Sequence, residues 1–422
     1  MRSTPMADVR PLRALHYALD SVSSLGDVVA PPYDVIDGSM REALLDRSPF
    51  NVVEIDLPQA PGGRNPYEHA AETLEAWTLQ GVLAADREEA LWALEQEYEG
   101  PDGSRHTRRG FLCRVRVTDY GPGLVRPHER TQPGPKEDRL RLTEATRHNL
   151  SPIFSLHEGN AWQHLEAAAQ GEPWGEATDA DGTVNRIWRI AEGDVVEAVR
   201  SELADSELLI ADGHHRYETS RTYAEGVGGD GEHRYTLMAL VSLEDPGLTV
   251  FGYHRLLTNL GDPAKQEALA GALREHFEIE EVPLEALDPA GEEGVGVFGY
   301  ADAHFKRGFR LRLRDPSVVD AELEGFSEDY RRLDAAILET LILRGALGMS
   351  ARDVEAKRGM AYTASADEAL ARLGEGADAI FLMRPTPVDQ VRAVAAAGET
   401  MPPKSTYFYP KLLTGLVFNP LE

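Results

Sequence analysis

Between residues 153 and 243, short apolar runs alternate with segments whose apolar residues have helical spacing. The runs IFSL, LLIA and TLMALVSL are typical of buried strands, and AWQHLEAAAQ and VVEAVRSEL are typical of amphipathic helices. Helices that alternate with strands must cover a sheet, so we expect a fold of the mixed α/β (α+β) class. Earlier in the chain, NVVEIDLP (51–58) alternates like a strand, and residues 90–120 predict a hairpin around the turn PDGSRHT.

The sequence changes its character near residue 260. Residues 283–294 resemble a solvated loop, and FSEDYRRLDAAILETLILRGAL predicts a long amphipathic helix. We therefore expect two regions. The α/β core, residues 1–260, carries the PHERT and DGHHR segments, and a C-terminal α/β region, residues 261–422, ends in MPPKSTYFYPK.

The charge balance excludes some classes of partner. The chain has 71 acidic and 43 basic residues, a net charge of −28. A surface of this sign repels phosphate backbones and anionic lipid, so we expect no nucleic-acid and no membrane partner. The single cysteine, Cys113, excludes an internal disulfide and a cysteine-based metal site. The N-terminal residues lack the apolar core of a signal peptide, so we expect a cytoplasmic protein.

The segment ADGHHRYETS (211–220) has the strongest functional pattern. An apolar strand ends at Asp212, Gly213 permits a tight turn, and a helix begins near His214. The amides of that helix start, together with His214, His215 and Arg216, form a candidate anion site. Asp212 is a candidate metal ligand or proton acceptor. The alternative is structural: Asp212 caps the helix, and the histidines are partly buried donors.

A second candidate segment is PHERTQPGPKEDR (127–139), which is rich in proline and glycine. Its first half predicts a loop, and a helix is expected from Asp138 to about Asn149. Glu129 is a candidate base, and the remaining polar residues are candidate phosphate ligands: His128, Arg130, Thr131, Lys136 and Arg139. The alternative is a solvated surface loop of mixed charge.

Two further segments are weaker. In MPPKSTYFYPK (401–411), Lys404, Ser405 and Thr406 resemble the polar end of a phosphate loop, and Tyr407 is a candidate substrate contact. The alternative there is a loop whose aromatic side chains pack into the core. In PPYDVI, Tyr33 and Asp34 are candidate substrate contacts, and a turn fixed by proline is the alternative. If the three segments with basic residues, 127–139, 211–220 and 401–411, lie together in the fold, they form a cationic pocket in an acidic protein.

These segments together resemble one known family, the domain-of-unknown-function (DUF) 1015 family. The resemblance rests on PPYDVI, PHERT with GPKEDR, NLSPIF, ADGHHRYET, DYRRLDAAIL and MPPKSTYFYPK, in that order. The DGHHR element is also similar to the Asp-Gly-x-His-Arg element of free serine kinases with the ParB/sulfiredoxin-like fold. This resemblance implies a ParB/sulfiredoxin-like core with additional α/β elements, and a phosphoryl site lined by Asp212, His214, His215 and Arg216.

The resemblance implies an ATP-dependent kinase that converts free L-serine to O-phospho-L-serine with Mg²⁺. From the residues themselves, and not from the resemblance, Asp212 is the candidate metal ligand, and Asp212 or Glu129 is the candidate acceptor of the hydroxyl proton. Two alternatives stay open, a metal-dependent phosphohydrolase and a non-enzymatic ParB-like regulator that binds nucleotide. The oligomeric state, a homodimer included, is also left open.

Overall fold

The computed structural model describes residues 7–100, 103–129 and 133–422. Its contacts divide the chain into two compact units. The first unit comprises Met1–Pro127, Thr131–Thr249 and Pro410–Glu422, and the second comprises His128–Arg130 and Val250–Tyr409. The chain therefore leaves the first unit and returns to it for its last residues. The division at residue 260 that the sequence suggests stays a prediction about domains.

The first unit is built around a nine-stranded sheet. From one edge to the other, the strands follow the order Val125–Arg126, Leu208–Asp212, Ile153–His157, Tyr235–Ser242, Arg105–Arg116, Leu91–Glu99, Val184–Ile190 and Gly175–Thr178, with Val9–Arg10 paired to Arg105–Arg116. Leu208–Asp212 is parallel to Val125–Arg126, and Tyr235–Ser242 is parallel to Ile153–His157. The other pairings of this sheet are antiparallel.

The predicted hairpin is confirmed, because Leu91–Glu99 pairs antiparallel with Arg105–Arg116. Cys113 lies in the second of these strands and is buried among the apolar side chains of the core, as its sequence context indicates. Two small ribbons complete the sheets of this unit, Leu15–Tyr17 with Leu83–Ala85 and His148–Asn149 with Asn419–Pro420.

Eight α-helices accompany this sheet in the described residues of the first unit. They are Leu25–Val28, Gly38–Arg47, Val53–Asp56, Pro66–Leu79, Pro133–Thr146, Trp162–Leu165, Gly193–Glu202 and His214–Val227. Two of them correct the sequence analysis. The strand expected at 51–58 is wrong, since Val53–Asp56 is helical, and the helix expected from Asp138 begins at Pro133. Proline suits the first turn of a helix because its missing N–H is not needed there.

The second unit contains a six-stranded antiparallel sheet. Its strands follow the order Phe277–Val282, Gly308–Leu313, Val297–Asp302, Ala379–Met383, His254–Leu257 and Met360–Thr363. Its helices are Pro263–His276, Ser317–Glu322, Glu328–Arg331, Asp334–Leu338, Ala351–Glu355, Ala366–Ala371 and Val388–Ala396, with a π-helix at Glu339–Ala346. The long helix expected in FSEDYRRLDAAILETLILRGAL is therefore divided into shorter pieces.

Strands and helices occur together in both units, so the fold belongs to the mixed α/β class, as predicted. The finer expectation of a ParB/sulfiredoxin-like core stays a prediction. In the part of the chain that the structure describes, none of the helices has the length and apolar character that a membrane span needs.

Candidate functional site

Asp212 lies at the end of strand Leu208–Asp212, where the pairing with Ile153–His157 changes register between Ile210 and Asp212. Such a bulge redirects the side chain that follows it. Each carboxylate oxygen of Asp212 accepts a hydrogen bond from a cation. Lys411 Nζ is 2.8 Å from Oδ1, and Arg216 Nη2 is 2.8 Å from Oδ2. The three charged groups are only partly exposed, which strengthens their interaction relative to bulk water.

Gly213 forms the turn between this strand and the helix His214–Val227. Its φ of 96° lies in the left-handed region, which glycine adopts without strain. Gly213 itself is the N-cap, and no side chain caps the helix, so the capping role considered for Asp212 is not observed. The carboxylate of Asp212 is instead bound to Arg216, four residues further on. The helix start therefore combines backbone amides with a fixed pair of cations.

A buried arginine anchors the segment that carries Lys411. Arg108 is 1% exposed, and its Nη2 donates to the carbonyl of Pro410 at 2.6 Å and to Gln96 Oε1 at 2.5 Å. The guanidinium also lies 4.6 Å from the centre of the Phe154 ring. Burial lowers the pKa of Arg108 to about 10. The position of Lys411 next to Asp212 is thus fixed by contacts in the sheet.

The other residues of the DGHHR element differ in exposure. His214 is buried and His215 is partly exposed. Arg216 uses both terminal nitrogens of its guanidinium group. Nη2 donates to Asp212, and Nη1 donates to Ser151 Oγ at 2.8 Å and to the carbonyl of Pro152. Arg216 therefore connects Asp212 to the buried part of the first unit.

Arg139 lies in the helix Pro133–Thr146, in agreement with the helix expected from Asp138, and it is buried. The alternative of a solvated surface loop is therefore wrong for this residue. Its guanidinium donates to Asp138 and Asp56, and the Nη1 atom lies 3.2 Å from Asp56 Oδ1. These carboxylates raise the pKa of Arg139 although burial opposes them. The guanidinium N–H groups of Arg139 therefore donate to carboxylates of the first unit.

Tyr33 lies against this pair, with the Arg139 guanidinium 4.4 Å from the centre of its ring. Burial raises the pKa of Tyr33 to about 12, so its hydroxyl stays protonated at neutral pH. Asp34, the next residue, is exposed. Lys136 is partly exposed in the helix Pro133–Thr146, where its carbonyl lies 3.5 Å from Thr219 Oγ1. Arg130 and Thr131 lie outside the described residues.

In the second unit, residues 128–129 pair with the segment that follows residue 400. Met401 N donates to the carbonyl of His128 at 2.8 Å, and Lys404 N lies 3.5 Å from Glu129 Oε1. His128 is buried, with Nε2 at 2.9 Å from Thr406 Oγ1. Residues 128–129 and residues 401–406, which are about 275 residues apart in the sequence, are therefore adjacent in this unit.

Lys404 adopts a left-handed backbone conformation, with φ at 57°, which is uncommon for a residue with a side chain. Its Nζ atom lies 5.0 Å from the centre of the Tyr253 ring, a cation–π contact. Arg255, which is 4% exposed, donates to the carbonyl of Tyr253 and lies over the Tyr362 ring at 5.2 Å. Backbone strain of this kind persists only where neighbouring contacts fix the residue.

Ser405, Thr406 and Tyr407 make contacts inside the second unit. Ser405 is buried, and its hydroxyl donates to the carbonyl of Pro402 at 2.6 Å. Thr406 is buried against His128, and the Tyr407 ring packs 5.1 Å from that of Tyr253. The hydroxyls that resembled the end of a phosphate loop thus contact protein atoms, which is the packed alternative for this segment.

The carboxylate of Asp212 does not fit a resident Mg²⁺ ion, because both its oxygens already accept hydrogen bonds from cations at 2.8 Å. Across the described residues, no group of three or more His, Cys, Asp or Glu side chains is arranged to hold a metal ion. What the Asp212 arrangement provides is a pair of oriented cations beside a helix start, which is suited to phosphate oxygens.

Three residues of these sites are not among the candidates that the sequence suggests. They are Asp56, which lies within the strand predicted at 51–58, Arg255 and Lys411. A single sequence contains no signal for the pairs Asp56–Arg139 and Asp212–Lys411, because their members are 83 and 199 residues apart. The predicted convergence of three segments joins residues of both units, and it stays a prediction.

Comparisons with known proteins give a family and some distant structural likenesses. The profile of a family described as "Protein of unknown function (DUF1015)" matches residues 9–336. No curated protein matches the sequence. Among solved structures, a point variant of a free serine kinase in complex with ADP is 14% identical over 69% of this chain and 89% of that chain, with a TM-score of 0.36.

Two further solved structures are equally distant. A conserved hypothetical protein from Pyrococcus furiosus is 16% identical over 69% of this chain and 92% of its own, with a TM-score of 0.35. SbnI with a C-terminal truncation, from Staphylococcus aureus, is 12% identical over 72% of this chain and 85% of its own, with a TM-score of 0.37. All three TM-scores are below 0.5, so these structural likenesses are distant.

Proposed function

The chain belongs to the DUF1015 family, and from that premise and the geometry around Asp212 we propose that it transfers the γ-phosphoryl group of ATP to the hydroxyl of free L-serine. One observation carries the proposal. Asp212 holds Arg216 and Lys411, each at 2.8 Å, at the start of the helix His214–Val227. Phosphoryl transfer depends mainly on positioning and on neutralising phosphate charge, and an oriented pair of cations serves both.

The proposed reaction follows the ordinary course of phosphoryl transfer. The serine Oγ forms a bond to the γ-phosphorus, the bond from that phosphorus to the bridging oxygen breaks, and ADP leaves with the electron pair. The hydroxyl proton passes to a carboxylate. Glu129 is our candidate for this base, because both oxygens of Asp212 already accept hydrogen bonds from cations. Mg²⁺ enters as part of the Mg·ATP substrate.

The choice of L-serine as acceptor rests on the similarity of DGHHR to the corresponding element of free serine kinases. Because the net charge of −28 disfavours an anion over most of the surface, an anionic nucleotide requires a local cluster of cations. The same cations would hold phosphate oxygens of the donor in place while the acceptor approaches. His214 and His215 adjoin this position at the start of the helix and are proposed as further phosphate donors.

The test incubates the pure protein with Mg·ATP and a panel of amino acids, and measures O-phosphoserine and ADP by mass spectrometry. We expect equal amounts of both products with L-serine. Glu129→Gln should lower turnover at least 100-fold. The control Asp230→Asn removes an exposed partner of Arg116 and should keep wild-type turnover.

Other outcomes would select a rival function. Release of phosphate from phosphorylated compounds without any phosphoserine would indicate a phosphohydrolase. Binding of nucleotide without turnover of any acceptor would indicate a regulator. Either result, obtained with folded protein, would refute the kinase proposal.

A further inference from the structure

Asp56 is a buried carboxylate with one oxygen that lacks a partner. Its Oδ1 lies 3.2 Å from Arg139 Nη1, and its side chain is only 6% exposed. Among the described residues, no atom forms a hydrogen bond with its Oδ2. Leaving a buried carboxylate oxygen unsatisfied is costly, so such an atom indicates a place for a donor that is not part of the chain.

This residue lines a small polar cavity in the first unit, together with Tyr33, Arg139, Asn149, Ser151 and Arg216. The space open to a water-sized group is about 40 Å³, within a concavity of about 440 Å³ that includes open solvent. The inner space suits one small polar group and is too small for a whole amino acid. A ligand would therefore insert one group and leave the rest outside.

Asp56 Oδ2 is the atom at which this cavity lacks a donor. Arg139 donates to Asp56 and Asp138, and Arg216 donates to Asp212. Both guanidinium groups that line the cavity thus have carboxylate partners, whereas Oδ2 of Asp56 has no partner among the described residues. An ammonium group would supply the N–H donor that this oxygen lacks.

The cavity is also adjacent to the proposed phosphoryl site. Arg216 lines the cavity and at the same time donates to Asp212 Oδ2 at 2.8 Å. A molecule with its amine near Asp56 would therefore have its neighbouring atoms next to the cations at Asp212.

We propose that this cavity receives the primary ammonium group of the phosphoryl acceptor and that Asp56 Oδ2 accepts its hydrogen bond. The inference rests on the proposed function for the identity of the acceptor, which it narrows to hydroxy compounds with a nearby primary amine. It makes Asp56 a residue that selects the acceptor and takes no part in proton transfer.

The experiment measures binding by calorimetry in the presence of ADP, and so does not need turnover. The probes are L-serine, ethanolamine, and L-glycerate, which has a hydroxyl in place of the amine. We expect wild-type protein to bind L-serine at least tenfold more tightly than L-glycerate and to bind ethanolamine measurably. Asp56→Asn should abolish this preference for the amine.

Asp86→Asn is the matched control. Asp86 is also 6% exposed, pairs with Arg189 at 2.6 Å, and has an unpartnered Oδ2 among the described atoms, but it does not line the cavity. The control should keep the preference for the amine. If Asp56→Asn does not fold, the comparison of ligands on the wild-type protein still decides the matter. Equal affinity for L-serine and L-glycerate, or no binding of either amine, would overturn the inference.

The two proposals fail separately. Amine binding that depends on Asp56, without phosphoserine formation, would refute the kinase and leave the amine pocket supported. Phosphoserine formation by Asp56→Asn with a wild-type KM for L-serine would refute the pocket and leave the kinase supported.

Discussion

Asp212 separates two cations that would otherwise repel each other. Arg216 and Lys411 each donate to a different oxygen of its carboxylate, so the negative charge fixes both side chains at once. This geometry gives Asp212 a positioning role. Hydrogen bonds to charged groups contribute more to stability than neutral ones, so the residue also affects folding.

Asp212→Asn is expected to lower turnover at least 100-fold and the free energy of unfolding by about 1 to 3 kcal/mol, because the amide leaves two cations without a counter-charge. Steady-state kinetics and urea unfolding would measure the two effects. A variant with wild-type kcat and KM would show that the phosphoryl site lies elsewhere.

Gly213→Ala should be harmful for two reasons. A left-handed conformation costs a residue with a Cβ about 1 to 2 kcal/mol, and the new Cβ would lie 3.0 Å from Arg216 Nε. Gly228→Ala is the control, since Gly228 at the end of the same helix also has positive φ but has nothing within 4 Å of its Cβ. We expect similar losses of thermal stability in both variants and a loss of activity in Gly213→Ala alone. Equal activities would argue against a role of Arg216.

The sequence indicates the residues of the DGHHR turn because their order is local. Asp-Gly after an apolar run predicts a turn, and Gly213 occupies it. The partners of this turn are not local. Lys411 lies next to Asp212 because Arg108 binds the carbonyl of the preceding residue, Pro410. Arg139 is buried together with its ion-pair partner Asp56. Tertiary contacts of this kind have no pattern in a single sequence.

At the level of elements, the spacing of apolar residues predicts the hairpin at 91–116 and the strand–turn–helix at 208–227, and the structure has both. The strand that the same spacing predicts at 51–58 is wrong. There Asn51 bonds to the carbonyls of Asp27 and Val29, and its Oδ1 accepts from Val53 N, which starts a helix. The contact that decides the conformation comes from residues more than twenty positions away.

The divided helix after residue 328 has a similar cause. Its second piece begins at Asp334, whose carboxylate binds Arg384 at 2.8 Å and accepts from Gly296 N at 2.9 Å. Leu333, the N-cap, is extended. The apolar period continues through this break, so the periodicity alone predicted one helix where the side-chain contacts of Asp334 produce two.

The strand His254–Leu257 contains a pH-sensitive group. His254 Nδ1 accepts a hydrogen bond from Met383 N at 3.0 Å, and burial lowers the pKa of His254 to about 4. In the unfolded chain its pKa is near 6.5, so the unfolded state binds more protons as pH falls below that value. Stability should therefore decrease from about pH 6.5 to about pH 4, by about 3 kcal/mol for this residue.

Urea unfolding at several pH values would measure this decrease. His254→Asn keeps an acceptor near the Nδ1 position and does not titrate, so its stability should depend less on pH in this range. An identical pH dependence in both proteins would assign the effect to other groups, such as His148 and His157, whose pKa values burial also lowers.

At the level of the whole molecule, the charge predicts how salt affects nucleotide binding. The net charge of −28 repels ATP at long range, whereas the cations near Asp212 attract it at short range. Salt screens the first effect more than the second, because the Debye length falls from about 30 Å at 0.01 M to about 8 Å at 0.15 M ionic strength. We expect the affinity for ATP to rise between these ionic strengths. A steady fall would contradict this prediction.

The contacts of the chain define two units, and the main segment of the second unit begins at Val250. The division near residue 260 that the sequence suggests stays a prediction. The return of Pro410–Glu422 to the first unit has no compositional signal. It depends on buried contacts such as Thr414 Oγ1 to Ser151 Oγ at 3.0 Å, and hydrogen bonds between distant residues leave no trace in local composition.

The separation of Asp212 and Lys411 by 199 residues has a consequence for biosynthesis. A ribosome that adds about 5 to 20 residues per second needs about 10 to 40 s to pass from one to the other. Throughout that interval the nascent polypeptide contains Asp212 without Lys411, so no translation product that ends before Lys411 has the full charge arrangement.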